Sequence, residues 1–172
     1  MKPLTVAIAG NPNSGKTTLF NLLTGSRQKV GNWPGVTVEK KTGPCKISGE
    51  DVNIVDLPGI YSFSAASPDE QIARDFLLSK SADVVVNILD ATSMERGLFL
   101  TMQLLEMGIP VIVAANMMDQ VKELNLQLDI KGLSHELNCP VLQMTASKQQ
   151  GIADLKSLLG EVSREPITSV KP

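Results

Sequence analysis

Three features of this sequence predict an α/β fold with a mostly parallel central sheet, one antiparallel hairpin strand and helices on both faces. Strand-type and helix-type runs alternate along the 172 residues, the pattern of successive βα units. Two strand-type runs meet at Ser48-Gly49-Glu50, a connection so short that it implies a hairpin. Between the first strand run and the first helix run lies Gly10-Asn11-Pro12-Asn13-Ser14-Gly15-Lys16-Thr17, a full match to G-x-x-x-x-G-K-[ST] in the strand–turn–helix context that this pattern requires.

Each element has its own signal. Leu4 to Ala9 is a short apolar, β-branched run and reads as a buried strand. A helix follows from about Lys16 to Leu23, ended by Gly25. Ser26 to Pro34 collects Gly, Asn and Pro and reads as a loop. Val36 to Ile47 and Asp51 to Val55 form the hairpin, with Gly43-Pro44 predicting an edge position. Asp56-Leu57-Pro58-Gly59 ends the second strand. Ser67 is a predicted N-cap, with Pro68 at N1, Glu70 completing a capping box, and Ile72, Phe76 and Leu77 on the apolar stripe. Val84 to Leu89 is the next buried strand. Met94 to Met107 is a helix with Leu98, Met102 and Leu105 inward. Pro110 to Ala115 is a strand, Ile130 to Leu137 a helix, Val141 to Met144 a strand, and Ile152 to Val162 the last helix, burying Ile152, Leu155, Leu158 and Leu159. Residues 1–164 form one domain, and residues 165–172 read as a tail.

Composition narrows the function. A formal net charge of -2 argues against bulk nucleic-acid binding, which needs a basic face. Four Phe, one Trp and one Tyr leave the core to aliphatic side chains. Cys45 and Cys139 lie far apart, fit neither a disulfide framework nor a metal site, and suit a reducing, cytosolic setting; Cys139 beside Pro140 reads as a small buried hydrophobe at the start of a strand. The N-terminus shows no signal peptide, and no apolar run reaches the roughly 20 residues that span a bilayer.

The chemistry begins at the glycine-rich loop. Its backbone N–H groups converge, and the helix N-terminus adds partial positive charge, so the loop cradles phosphates. Gly10 and Gly15 allow close approach, Lys16 sets an ammonium against the β- and γ-phosphates, and Thr17 offers a hydroxyl to Mg²⁺. Asn11, Asn13, Ser14 and Thr18 complete the predicted nucleotide-binding loop. Asp56, at a strand end, is where P-loop enzymes hold Mg²⁺ through water, and Gly59 leaves an N–H for the γ-phosphate. Alone, Asp-x-Pro-Gly would be a turn; with the Lys16 loop upstream it reads as part of the phosphate site.

Asn116-Met117-Met118-Asp119 resembles the N-K-x-D guanine-reading motif of the GTPase superfamily, with Met117 in place of Lys. The resemblance implies that Asp119 accepts from the guanine N1–H and amine, and that Asn116 ties this loop to the phosphate loop. Adenine offers no such donor pair, so a buried Asp119 would disfavour it. Met117 can cover one face of the base with a flexible apolar stem. Thr145-Ala146-Ser147 resembles the S-A-K element, whose alanine N–H meets guanine O6.

Gly31-Asn32-Trp33-Pro34-Gly35-Val36-Thr37-Val38-Glu39 resembles the first switch of the FeoB ferrous iron transporters, G-N-W-x-G-V-T-V-E. The phosphate loop through Asn21, Asp56-Leu57-Pro58-Gly59, Asp69-Glu70-Gln71 and Asn116-Met117-Met118-Asp119 fit the same family. The resemblance implies a Ras-like P-loop GTPase fold. It implies the cytosolic N-terminal G domain of a bacterial inner-membrane protein, continuing into helical and transmembrane domains toward which the tail would lead. It brings in small FeoA- and FeoC-type proteins as partners, leaves homo-oligomerisation through the parent protein open, and makes GTP and GDP the ligands. Thr37 becomes the switch threonine, binding Mg²⁺ and the γ-phosphate and released on hydrolysis. Lys16, Thr37, Gly59 and Asn13 then form the catalytic set. Asn13 also resembles the asparagine with which several GTPases bind K⁺ between the phosphates, with carbonyls of Gly31 to Trp33 completing that site; a cation there would offset transition-state charge.

Ile60 stands where Ras-like enzymes place a water-orienting Gln and has no polar group, so intrinsic turnover is expected to be slow. Trp33 is expected to be exposed by its loop context, and His135 to be a surface residue. Two further readings are weighed against a GTPase that regulates or powers Fe²⁺ passage. One is a stand-alone GTPase of ribosome assembly or tRNA modification, for which no basic patch is seen. The other is a nucleotide sensor that scarcely hydrolyses, which Ile60 favours.

Overall fold

The computed structural model describes residues 3–64 and 67–164; the tail expected from 165–172 lies outside them. Within them the chain runs β1 (Thr5–Gly10), α1 (Lys16–Thr24), β2 (Lys29–Asn32), β3 (Glu39–Ile47), β4 (Glu50–Asp56), α2 (Pro68–Leu78), β5 (Val84–Asp90), α3 (Met94–Glu106), β6 (Val111–Asn116), α4 (Met118–Glu123), α5 (Ile130–Leu137), β7 (Val141–Gln143) and α6 (Ile152–Arg164). The strands form one sheet in the order β2-β3-β4-β1-β5-β6-β7. β4, β1, β5, β6 and β7 are mutually parallel, and β3 runs antiparallel to both neighbours. β1 is therefore central. The chain fills the sheet on one side of it with β2 to β4 and on the other with β5 to β7, and ligands in such sheets bind at that reversal, beyond the strand ends.

Alternation along the strands divides the interior in two. Val6, Ile8, Val84, Val86, Ile88 and Ile112 face α1 and α6, packing with Leu19, Phe20, Leu155 and Leu159. Ala7, Ala9, Val85, Leu89, Val113 and Ala115 face the opposite way, against Ala73 and Leu77 of α2 and Leu100 and Leu104 of α3. Small side chains on β1 and β6 let this second layer sit close. One polar device crosses it: buried Asn87 donates to the Ala9 carbonyl at 3.3 Å and accepts from Thr101 Oγ1 at 2.5 Å, tying α3 to the sheet.

The hairpin turn is Ser48-Gly49, with φ of 53° and 85°, joining the paired residues Ile47 and Glu50. A two-residue loop with both φ positive matches the twist of the strands it joins. Ser67 caps α2 by accepting the Glu70 N–H at 3.2 Å.

Four expectations are corrected. The stretch from Ser26 to Pro34 is not all loop: Lys29–Asn32 pairs antiparallel with Glu39–Thr42 as an exposed edge strand too short and polar to show a period. The strand expected from Val36 starts only at Glu39. β3 is not the edge strand, but Thr42 is its last residue paired with β2, opposite Lys29, so within the sheet Gly43-Pro44 is bordered by β4 alone, a position that suits a residue without an N–H. The inner face of α3 is Gly97, Leu100, Thr101 and Leu104; Leu98 and Leu105 are half-buried and Met102 is exposed, because close contact of Gly97 with Leu89 sets the helix's rotation.

Candidate functional site: a phosphate loop braced against a base-reading loop

β1 ends at Gly10 and α1 begins at Lys16, with Gly15 as its cap at φ 98°. The first N–H groups of a helix have no partner within it and carry its positive dipole end, so α1 presents donors toward the loop it follows. The loop is folded back on itself: buried Ser14 donates both its N–H (3.3 Å) and its hydroxyl (2.7 Å) to the Asn11 carbonyl. Asn13 sits at φ 67°, the left-handed region that Asn tolerates. A cavity of about 560 Å³ opens over this loop, lined by Asn11, Pro12, Asn13, Gly15, Lys16, Thr17, Thr18, Gly59 and Met117. That volume falls in the range of small-ligand sites.

Asp56 reaches this cavity through Lys16: its Oδ1 lies 2.6 Å from the Lys16 ammonium, each side chain only 10% exposed. The segment after Asp56 is laced to β1, the Leu57 N–H to the Ile8 carbonyl at 3.1 Å and the Ile60 N–H to the Gly10 carbonyl at 3.0 Å. Gly59 lies against Pro12, where an added Cβ would sit 3.3 Å from that ring. Ile60 is buried in the core beneath, so its side chain faces away from the cavity side of the segment.

The second loop is joined to the first through one buried side chain. Asn116 Nδ2 donates to the Ser14 carbonyl at 2.9 Å, and Asn116 Oδ1 accepts the Ala146 N–H at 2.9 Å. The Ala146 N–H expected to face guanine O6 is thus taken by Asn116 in this conformation, because a buried amide oxygen must find a donor. Thr145 exchanges two backbone bonds with Gln150 (3.0 and 3.1 Å), closing this turn, and Ser147 lies exposed on it. Met117 takes φ 65° and lines the phosphate-loop cavity. Asp119 lies in the first turn of α4, 24% exposed, with its Oδ2 3.4 Å from the Lys148 ammonium. Lys148 and Pro12 also contribute to the site. Lys148 stands one place beyond the S-A-K pattern, and Pro12 occupies a position the phosphate-loop pattern leaves free.

The segment 31–38 stands apart. Gly31, Trp33 and Thr37 are not among the residues lining the cavity with Asn13 and Thr17. The Trp33 carbonyl accepts the Val36 N–H at 3.2 Å. Trp33 is not exposed, as its loop context suggested, but 5% exposed, and Thr37 is exposed. Trp33 is drawn inward because α2 offers an aromatic surface: its ring meets Phe76 edge-on, centroids 5.5 Å apart at 76°. His135 is exposed on α5. Among the described residues no group of three His, Cys, Asp or Glu side chains is placed to hold a metal, and no helix is long and apolar enough to cross a membrane.

A phosphate loop at the central strand, a Lys–Asp pair beside it and an Asn-x-x-Asp loop bolted to its back define a domain of the P-loop GTPase class. The model of the family described as ferrous iron transport protein B matches residues 4–159. The chain belongs to this family, as its amino-terminal part. It is 53% identical over 160 residues to the Fe(2+) transporter FeoB of Escherichia coli, covering 91% of this chain and 21% of that protein. The fold is shared with the cytosolic domain of the T. maritima FeoB iron transporter, solved in a GDP form (TM-score 0.93, 40% identity, 99% of this chain and 67% of that one) and in a GMPPNP form (TM-score 0.92, 41% identity, 98% and 66%). It is likewise shared with an S. thermophilus NFeoB variant bound to GDP (TM-score 0.90, 46% identity, 99% and 64%). The chain thus spans about a fifth of the length of the curated relative it matches.

Proposed function

We propose that this domain binds GTP and GDP, hydrolyses GTP slowly with Mg²⁺, and serves as the nucleotide-driven module that regulates or powers ferrous iron uptake by a longer membrane protein, working at the cytoplasmic face of a bacterial inner membrane. The observation that carries the reading is the Asn116 bridge: it sets the loop bearing Asp119 against the loop bearing Lys16, so one ligand can meet both. Triphosphate specificity rests on the first loop and base specificity on the second.

In this reading a bound triphosphate takes the Lys16 ammonium from Asp56. The freed Asp56 carboxylate, with the Thr17 hydroxyl on the cavity wall, is the oxygen donor set that suits Mg²⁺. The metal would supply charge neutralisation at the phosphates. The first-turn amides of α1 and the Gly59 N–H hold the phosphate oxygens, and Thr37 closes over the site from the 31–38 segment. Ile60, buried and apolar, leaves the attacking water to backbone groups, which supports slow turnover. Asn13 lines the cavity and suits a K⁺ ligand; turnover in KCl above that in NaCl is the corresponding outcome. The helical and membrane parts of the parent, small FeoA- and FeoC-type proteins and further copies of the parent are the partners this reading entails.

Isothermal calorimetry with GDP, ADP and the Asp119→Ala variant tests it. Losing two charge-assisted bonds to the base predicts at least a roughly hundred-fold weaker affinity for GDP, with ADP little affected. Equal GDP affinity in the parent and the variant would remove guanine from the account.

A further inference from the structure

The 31–38 segment holds a device that the nucleotide site does not use. β2 pairs with β3 so that Gly31 lies opposite Lys40, and the Trp33 N–H continues the ladder to the Val38 carbonyl at 2.9 Å. Period two then puts Gly31, Trp33, Val38 and Lys40 on one face. Gly31 has no side chain, so Lys40 can lean diagonally across the gap. Its ammonium stands 4.6 Å above the Trp33 ring and 6.0 Å from the Phe76 ring. The indole is thereby held between a cation on β3 and an aromatic edge on α2. One atom is left out of this arrangement. Trp33 Nε1 is buried and has no hydrogen-bond partner.

A buried indole N–H without an acceptor disfavours the conformation that contains it. The ring contacts favour that same conformation. Trp33 therefore sits in a seat with opposing terms, and it stands at the base of the six-residue loop 33–38, which carries exposed Thr37. Bringing Thr37 to the phosphate-loop cavity means moving the loop that Trp33 anchors.

We propose that Trp33 is the positioning residue for Thr37. Seated between Lys40 and Phe76 it holds Thr37 away from the nucleotide. When Thr37 engages metal and γ-phosphate, the indole leaves the seat and its N–H gains a partner. This inference rests on the role given to Thr37 above. It differs from a plain packing role in predicting opposite effects for two kinds of substitution. Trp33→Phe keeps a ring in the seat and deletes the unpaired donor, so it stabilises the seated state. Lys40→Gln keeps the stem and deletes the cation, so it loosens that state.

The experiment uses the fact that this chain has one Trp. Emission is recorded with saturating GDP and with a non-hydrolysable GTP analogue plus Mg²⁺, binding of each being verified by displacement of a fluorescent nucleotide. The expected result is red-shifted emission with the analogue. In displacement assays Trp33→Phe should shift the analogue-to-GDP affinity ratio roughly ten-fold toward GDP, and Lys40→Gln about three-fold toward the analogue. Identical emission with both nucleotides bound, or both variants moving the ratio the same way, overturns the proposal. Failure to bind either nucleotide overturns instead the function on which it rests.

Discussion

The loops that surround the phosphate cavity and the segment that carries Thr37 are built on opposite plans. In the first, Ser14, Asn116 and Ala146 are buried and mutually bonded, and Lys16 and Asp56 hold each other at 2.6 Å. In the second, backbone bonds at the base of a loop and one ring wedged between Lys40 and α2 hold the segment, while Thr37 stands in solvent. Buried polar groups that bond one another rigidify what they join. A loop with exposed backbone and few apolar contacts opens at low cost. The comparison teaches that, in the proposed function, the domain fixes the part that would recognise the ligand and leaves free the part that would report on it.

The strongest way to break that contrast is Asn116→Ala. The substitution removes the donor to the Ser14 carbonyl and the acceptor of the Ala146 N–H, stranding two buried backbone groups. At about 1–3 kcal/mol for each unsatisfied group, partly relieved by entering water, the expected loss is about 3 kcal/mol of stability. Chemical denaturation measures it. GDP affinity should fall with it, because the Met117 to Asp119 loop loses its brace. A variant as stable as the parent would show that the network is decorative and the contrast unreal. Gly15 belongs to the same network: at φ 98° it faces Asn116 Nδ2 so closely that a Cβ would overlap it, which makes Gly15 as much a base-loop residue as a phosphate-loop one.

A smaller effect sharpens the contrast from within the rigid layer. Cys139, 3% exposed just before β7, has its thiol pushed from the ordinary 9.0 up to about 11 by burial, which penalises the thiolate. The folded state thus keeps a proton that the unfolded chain loses first. Its contribution to stability is complete below pH 9 and is lost as pH rises from about 9 to about 11. Comparing the alkaline limb of stability in the parent and Cys139→Ala should show a shallower decline in the variant, by up to about 2 kcal/mol over that window. Superimposable limbs would mean that water reaches the thiol and that the layer opens there.

What could be read from the residues alone follows the same division. The phosphate loop, Asp56 and the Asn116 loop each combine a fixed spacing with a strand end, and local chemistry specifies their conformation. The bounds of α5 are legible because apolar periodicity, the Asp129 side chain accepting the Gly132 N–H at 2.9 Å, and Asn138 at φ 54° agree on its ends. β2 is illegible because its four residues are all exposed and owe their strand to β3. Trp33 is illegible for a related reason: its seat is completed by Phe76 on α2, which lies far along the chain and which no local pattern can supply. The face of α3 departs from its apolar pattern because Gly97, with no side chain to weigh, decides it by close approach to Leu89. The Ala146 bond to Asn116 was hidden in the same way, since a backbone donor leaves no mark in a sequence.

The smallest expected effect lies where the rigid part meets solvent. Lys148 is 57% exposed and its ammonium lies 3.4 Å from Asp119 Oδ2. Such a pair is screened by water and salt and is worth at most about 0.5 kcal/mol to stability. Lys148→Met should therefore leave the denaturation midpoint nearly unmoved. It should matter more to binding, because the carboxylate proposed to accept from guanine is held by a cation that would have to yield to the base. The two effects of Lys148 on GDP oppose each other: it orients Asp119 and it competes for it. Their near-cancellation predicts a change in GDP affinity below about three-fold, with a weaker salt dependence than the parent shows. Calorimetry at two ionic strengths reads both quantities. A large loss of affinity would place Lys148 among the groups that fix the base-reading loop and extend the rigid network to the surface; a parent-like salt dependence would remove the ion pair from the nucleotide site altogether.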